Sequence, residues 1–199
     1  MREGSPRQVV DLFESSLRKL PSLTVGLLTL RMTLEQLNEL ASSEAAAEFL
    51  KCCGSRRWAR EMAHTRPFAN KEALFATADV VSSSLTDEDW LEAFRAHPKI
   101  GEKKAATAQT AQEKSWSAHE QSGVARASAD TVAQLAERNR EYETRFGFIF
   151  IVCASGKSSD EMLALLNQRL HNDSETELRV AAQEQQKITR LRLEKLLNQ

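Results

Sequence analysis

The sequence predicts an all-α fold, a single compact helical domain, and three observations point to it. Chain breakers are scarce, with 7 glycines and 4 prolines in 199 residues. The two-residue alternation of a half-buried strand is almost absent, while apolar residues recur at helical spacing. Four segments carry a Ser or Thr followed three residues later by Glu, Gln or Asp, the signature of a helix start.

Taken in order, Thr33-Leu34-Glu35-Gln36 opens a helix with Leu37, Leu40 and Ala41 on one face. Thr86-Asp87-Glu88-Asp89 opens a short one with Trp90, Leu91 and Phe94 together. Ser158-Ser159-Asp160-Glu161 opens another, carrying Met162, Leu165, Leu166 and Leu170. Ser174-Glu175-Thr176-Glu177 opens the last, which runs to about Leu197. Residues 105–115 and 122–131 are small and polar and suit loops or exposed helix. The exception is Phe146 to Ala154, FGFIFIVCA, rich in β-branched and aromatic residues. A lone short strand has nothing to pair with, so this stretch reads as a buried helix segment or an extended core piece. Residues 1–31 differ in character and read as an N-terminal extension, helical or disordered. Met32 offers an alternative start, and residues 32–199 form the domain.

Composition narrows the function. Hydrophobic residues at 41% and charged residues at 28% describe a globular chain long enough to bury a core unaided. The 27 basic and 28 acidic residues leave no charge excess for nucleic acid or a membrane surface. No apolar run reaches the length of a membrane helix. Cys52, Cys53 and Cys153 make no disulfide framework and no C-x-x-C, so a reducing, cytoplasmic setting is expected. No His, Cys and carboxylate spacing suits a metal. Ser155-Gly156-Lys157-Ser158 suggests a phosphate loop, but Ile151 stands where its first glycine belongs. Cys153 lies in an apolar run and reads as a packed thiol.

Three places could carry chemistry. Trp90, Phe94 and His97 fall at i, i+4 and i+7, and Pro98 stops the helix there. The dipole at a helix C-terminus favours a cationic imidazole, which could donate a proton near neutral pH. A plain C-terminal cap explains the same histidine. Ser117, Glu120 and Gln121 share one helical face and could bind a substrate rich in amide groups, although Ser117 and Glu120 also have capping-box spacing. Arg192 projects between Ile188 and Leu196, in line with Ala181, whereas Arg190 points away. An arginine on an apolar stripe needs an anion to grip or a salt bridge, for which Glu184 lies on the same side.

Together these residues resemble a known family. Cys53-Gly54-Ser55-Arg56-Arg57-Trp58, Arg66-Pro67-Phe68 and Trp90-Leu91-Glu92-Ala93-Phe94 leading into His97-Pro98-Lys99-Ile100-Gly101 come first. Ser117-Ala118-His119-Glu120-Gln121-Ser122-Gly123, Phe146 to Ala154 with Gly156-Lys157-Ser158, and Lys187-Ile188-Thr189-Arg190-Leu191-Arg192-Leu193 follow. In that order they resemble the signature of the 2-oxo-4-hydroxy-4-carboxy-5-ureidoimidazoline (OHCU) decarboxylases, over roughly residues 32–197. Val152 and Ser155 depart mildly from the pattern, which touches side-chain contacts rather than backbone ones.

The resemblance implies decarboxylation of OHCU to (S)-allantoin in uric acid breakdown, a small-molecule substrate, no cofactor or metal, and a homodimer. It implies His97, Glu120 and Arg192 as catalytic residues. Pro98, Ser117 and Gln121 would bind substrate with the backbone of Phe150, Ile151, Val152, Cys153 and Ala154. Decarboxylation needs an electron sink, and the substrate's conjugated ring supplies one. The alternative is a catalytically silent interaction module of the same fold, against which stands the presence of His97, Glu120 and Arg192.

Overall fold

The computed structural model describes residues 32–99, 111–120 and 128–198, which form nine helices and no strand. They are α1 (Leu34–Glu39), α2 (Ser42–Cys53), α3 (Arg56–His64), α4 (Lys71–Ser83), α5 (Asp87–Arg95), α6 (Ala111–Glu120), α7 (Ala129–Phe146), α8 (Ser159–Arg169) and α9 (Ser174–Asn198). The all-α expectation holds. Residues 1–31 and Gln121 lie outside the described residues, as do the expectations that fall on them.

Helix starts follow the capping chemistry. Thr33, Thr86 and Ser158 each accept a hydrogen bond from the backbone N–H of the third residue on, whose side-chain oxygen in turn accepts one from the cap's backbone N–H. Such a cap contributes about 1 kcal/mol. The last helix departs from expectation. Asp173, not Ser174, caps it, accepting from the Thr176 N–H at 2.8 Å. Glu177 is thereby free of capping duty and turns into the core, where it is fully buried.

The core packs Phe49, Trp58, Met62, Leu74, Phe94 and Leu193 between α2, α3, α4, α5 and the long α9, which crosses α2, α4 and α5. Helices α7 and α8 pack together beside them. The link from α2 to α3 fixes how closely α5 approaches. Gly54 ends α2 with φ +87°, and a Cβ there would lie 2.7 Å from Ala96 Cβ and 3.0 Å from the Ala93 carbonyl. Only glycine permits both the left-handed turn and the contact. The end of α5, with His97 just beyond it, is therefore seated on the end of α2.

For the FGFIFIVCA stretch the structure selects the core piece rather than the helix. Gly147 ends α7 with φ +78°, and residues 149–154 are non-helical. Phe150 to Ala154 are all buried. Buried backbone groups need partners, and side chains supply them here. The Ile151 carbonyl accepts from Arg169 Nη1 at 2.7 Å. The Cys153 N–H donates to Glu184 Oε2 at 2.7 Å, and its carbonyl accepts from Lys157 Nζ at 2.7 Å. Arg169 is itself held in a buried network. Its Nε donates to Glu177 Oε1 at 2.8 Å, Tyr142 donates its hydroxyl to the same carboxylate, and Asn172 Nδ2 binds the other oxygen at 2.7 Å. The guanidinium also lies 4.6 Å from the Phe150 ring centroid.

Candidate functional site

Helix α9 supplies the anion grip. Its buried stripe runs through Ala181, Gln185, Ile188, Arg192 and Leu196, spaced at three or four residues. Arg192 is 3% exposed. Its guanidinium reaches the Lys51 carbonyl from Nη1 and Ser117 Oγ from Nη2, both at 3.4 Å. These are long, weak bonds for a guanidinium. The salt bridge to Glu184 is not formed. That carboxylate pairs with Lys187 and accepts from the Cys153 N–H. Burial works against the Glu184 charge, but those two bonds outweigh it and hold its carboxyl below the usual range.

Helix α5 supplies the imidazole. Trp90 and Phe94 are buried and stack at 6.5 Å, as their spacing predicts. The His97 N–H closes the last turn on the Phe94 carbonyl at 3.1 Å, and Pro98 follows. His97 is half-buried as a residue, but its Nε2 is out of solvent and has no hydrogen-bond partner. Burial, and then the positive charge of Arg192, push the imidazole down to about 3. This corrects the expectation of a cation favoured by the helix dipole. The dipole is worth at most about 2 kcal/mol, and desolvation beside a guanidinium outweighs it. His97 is a neutral base, not a proton donor, at neutral pH.

The structure thus brings His97, Ser117 and Arg192 together. Pro98 adjoins them, half-buried. The backbone of Glu120 ends α6, three residues from Ser117 on the same helix. The Phe150–Ala154 segment attaches to α9 through Glu184, two turns before Arg192 or about 12 Å along the axis. Arg169, Glu184 and Lys157 occupy backbone groups of Ile151 and Cys153, the pattern one edge of an extended chain shows to a neighbour. In such a chain the groups of Val152 face the other way. Lys157, the lysine of the phosphate-loop resemblance, is tied to this backbone. Cys153 is buried as expected, and burial raises the thiols of Cys52 and Cys53, the latter to about 11. Among the described residues no cluster of three or more His, Cys, Asp and Glu could hold a metal.

Sequence reasoning missed two residues. Gln185 is fully buried, seven positions before Arg192, and its Oε1 has no partner. A glutamine on the stripe between Ala181 and Ile188 was the available signal. Trp116, next to Ser117, has a buried indole N–H with no partner. Nothing but adjacency pointed to it. Unpartnered buried polar atoms cost about 1–3 kcal/mol each.

Comparison with known proteins places the chain in a family. The family model for OHCU decarboxylase matches residues 38–194. The chain is 39% identical over 151 residues to the uric acid degradation bifunctional protein TTL of Arabidopsis thaliana, covering 76% of this chain and 47% of that protein. It is 29% identical over 163 residues to the 2-oxo-4-hydroxy-4-carboxy-5-ureidoimidazoline decarboxylase of Haloferax volcanii, covering 81% and 94%. The chain therefore spans about half the length of the bifunctional relative and nearly all of the single-function one. A crystal structure of OHCU decarboxylase in the presence of (S)-allantoin superposes with TM-score 0.64 at 41% identity, covering 76% of this chain and 98% of that one. With a buried arginine and a desolvated histidine set at the matched motifs, this chain belongs to the OHCU decarboxylase family.

Proposed function

We propose that this chain is a carboxy-lyase that converts OHCU to (S)-allantoin and carbon dioxide in uric acid degradation. The observation that carries the reading is the buried Arg192, whose charge faces both Ser117 and the neutral His97. A planar guanidinium in this position can grip the carboxylate of a substrate in a bidentate fork.

The substrate has one ring carbon bearing both a hydroxyl and the carboxylate, and its neighbour bears the ureido group. When the bond to the carboxylate breaks, its electron pair flows into the ring C=N, carbon dioxide leaves, and the ring nitrogen that receives the pair takes up one proton from solvent. The hydroxyl must then lose a proton as the carbonyl forms, and the ureido-bearing carbon must gain one. A neutral imidazole suits the first task, and the proton it takes is then available for the second. Substrate binding also brings negative charge to Arg192, which lifts the depression of His97 and helps it hold the proton in transit. Delivery to one face of the ring makes one enantiomer.

In this reading His97, Glu120 and Arg192 act in catalysis. Pro98, Ser117, Gln121 and the backbone of Phe150, Ile151, Val152, Cys153 and Ala154 hold the substrate. The reaction needs no cofactor or metal, because the ring is the sink. The enzyme works as a cytoplasmic homodimer, and residues 32–199 carry the activity. Among the described residues no helix is long and apolar enough to cross a membrane. The test supplies freshly made urate-oxidation product and follows circular dichroism. Optically active (S)-allantoin forming faster than the spontaneous rate is expected. Racemic allantoin at the spontaneous rate sinks the assignment.

A further inference from the structure

Gln185 lies deep in the site but has no part in the reaction outlined above. It is fully buried on α9. Its Nε2 donates to the Cys53 carbonyl at 3.2 Å and to Thr189 Oγ1 at 3.3 Å. Those two acceptors fix which end of the amide is which. The oxygen must face the other way, and it is buried without a partner that meets full hydrogen-bond geometry. The Cys53 anchor adjoins Gly54, which is pressed against Ala93 and Ala96 at the end of α5. His97 is the next residue, and its Nε2 is likewise buried without such a partner. Gln185 is thereby brought towards the His97 ring, where it is the neighbour that favours a proton on the imidazole. Two orphaned polar atoms, one able to donate and one able only to accept, satisfy each other if the ring proton sits on Nε2.

We propose that Gln185 is a positioning residue for the reaction: its amide oxygen accepts the Nε2–H of His97, fixing the neutral tautomer and leaving Nδ1 as the nitrogen that takes the substrate's proton. The glutamine acts as a rigid strut. Its nitrogen end is fastened to α2 through Cys53, so the imidazole is held against rotation by the same backbone that seats α5. An amide suits this role better than a carboxylate. It orients the ring without adding charge, so the ring stays neutral. Orienting partners of ring nitrogens typically matter by about 10–100-fold where histidines bind metals, and a similar loss is expected here.

The proposal rests on His97 being the proton carrier, and the experiment separates the two. Gln185→Met, Gln185→Glu and His97→Asn are compared in the full chain by turnover to (S)-allantoin. Gln185→Met keeps the volume and removes the acceptor. It should lower kcat by about 10–100-fold with KM changed less than about twofold, because Gln185 does not touch substrate. Gln185→Glu, as a buried neutral carboxyl, can still give a proton to Cys53 and an acceptor to His97, and should recover most of the loss. Nitrogen-15 NMR of the unaltered enzyme should find the His97 ring proton on Nε2 and slow to exchange. A ring proton on Nδ1 overturns the proposal, whether or not the variants fold. So does a Gln185→Met enzyme with normal kcat, or one whose kcat and KM fail together without rescue by Glu. An active Gln185→Met beside a dead His97→Asn sinks the strut alone, whereas an active His97→Asn sinks the role of His97 itself.

Discussion

At the scale of single residues, His97 shows how burial reverses a reading made from position in a helix. Its place after Phe94 and before Pro98 was legible, and so was its place on the buried stripe. Its charge was not, because burial, which lowers it most, and the guanidinium of Arg192, 95 residues away in sequence, both arise from tertiary packing. The reversal has a measurable consequence for stability. The folded imidazole titrates near 3 and a solvated one near 6.5. Between those values the unfolded chain binds the extra proton, so stability is lost as pH falls through that window, at up to about 1.4 kcal/mol per pH unit. Denaturant titrations of His97→Asn should show a shallower slope from pH 6.5 to 4 than the parent, and an unchanged slope would place the ring in solvent. The same variant should lose about 10²–10⁴-fold in turnover while still binding allantoin. Arg192→Lys should instead weaken that binding along with turnover, since it keeps the charge and loses the planar fork. Retained turnover in His97→Asn at a normal melting temperature would reduce His97 to a helix cap.

At the scale of elements, the helices were legible because their signals are local. The boxes at Thr33, Thr86 and Ser158 and the apolar spacing of α9 need only neighbours within a turn or two. The segment after Gly147 was not, because its conformation depends on what pairs with its backbone. Three distant side chains, Arg169, Glu184 and Lys157, do so in place of a strand. The start of α9 was misread for the same reason. Glu177 has capping spacing, yet the core claims it for Arg169 and Tyr142. The ion pair, with the arginine 8% and the glutamate 0% exposed at the side chain, is desolvated. Removing one partner strands a buried charge, which typically costs about 3–5 kcal/mol, whereas an apolar pair of similar volume can be near neutral. Arg169→Met and Glu177→Leu alone should therefore each destabilise by about that amount, and the double variant by clearly less than their sum. Chemical denaturation of the three proteins checks this, and strict additivity would show that the pair is not a unit. Allantoin binding should fall in Arg169→Met even well below its melting temperature, since the Ile151 carbonyl loses its anchor.

At the scale of the whole molecule, the site is assembled from elements far apart in the chain that meet on one helix. Helix α9 carries Arg192, reaches Cys53 through Gln185, and reaches Cys153 through Glu184, so ends of α2, α5 and the non-helical core piece are all registered against it. Every one of these parts lies after residue 31. The compact unit that holds them runs from Arg31 to Gln199, and the family match occupies residues 38–194. Among the described residues the buried core of that unit runs from Leu37 to Leu197. A chain shortened to begin at Met32 should therefore fold with a melting temperature within a few degrees of the full chain and retain most of its turnover. On size alone, its 168 residues suffice to bury a core, since domains of about 150 residues bury roughly 70% of the surface of their unfolded chain. The measurement is paired: thermal unfolding and (S)-allantoin formation on both chains, with the mass of each in solution. Unfolding of the shortened chain would show that residues 1–31 contribute to the core. Loss of turnover with a normal melting temperature would place part of the site in that segment. A change from dimer to monomer with activity kept would assign it to assembly rather than to chemistry.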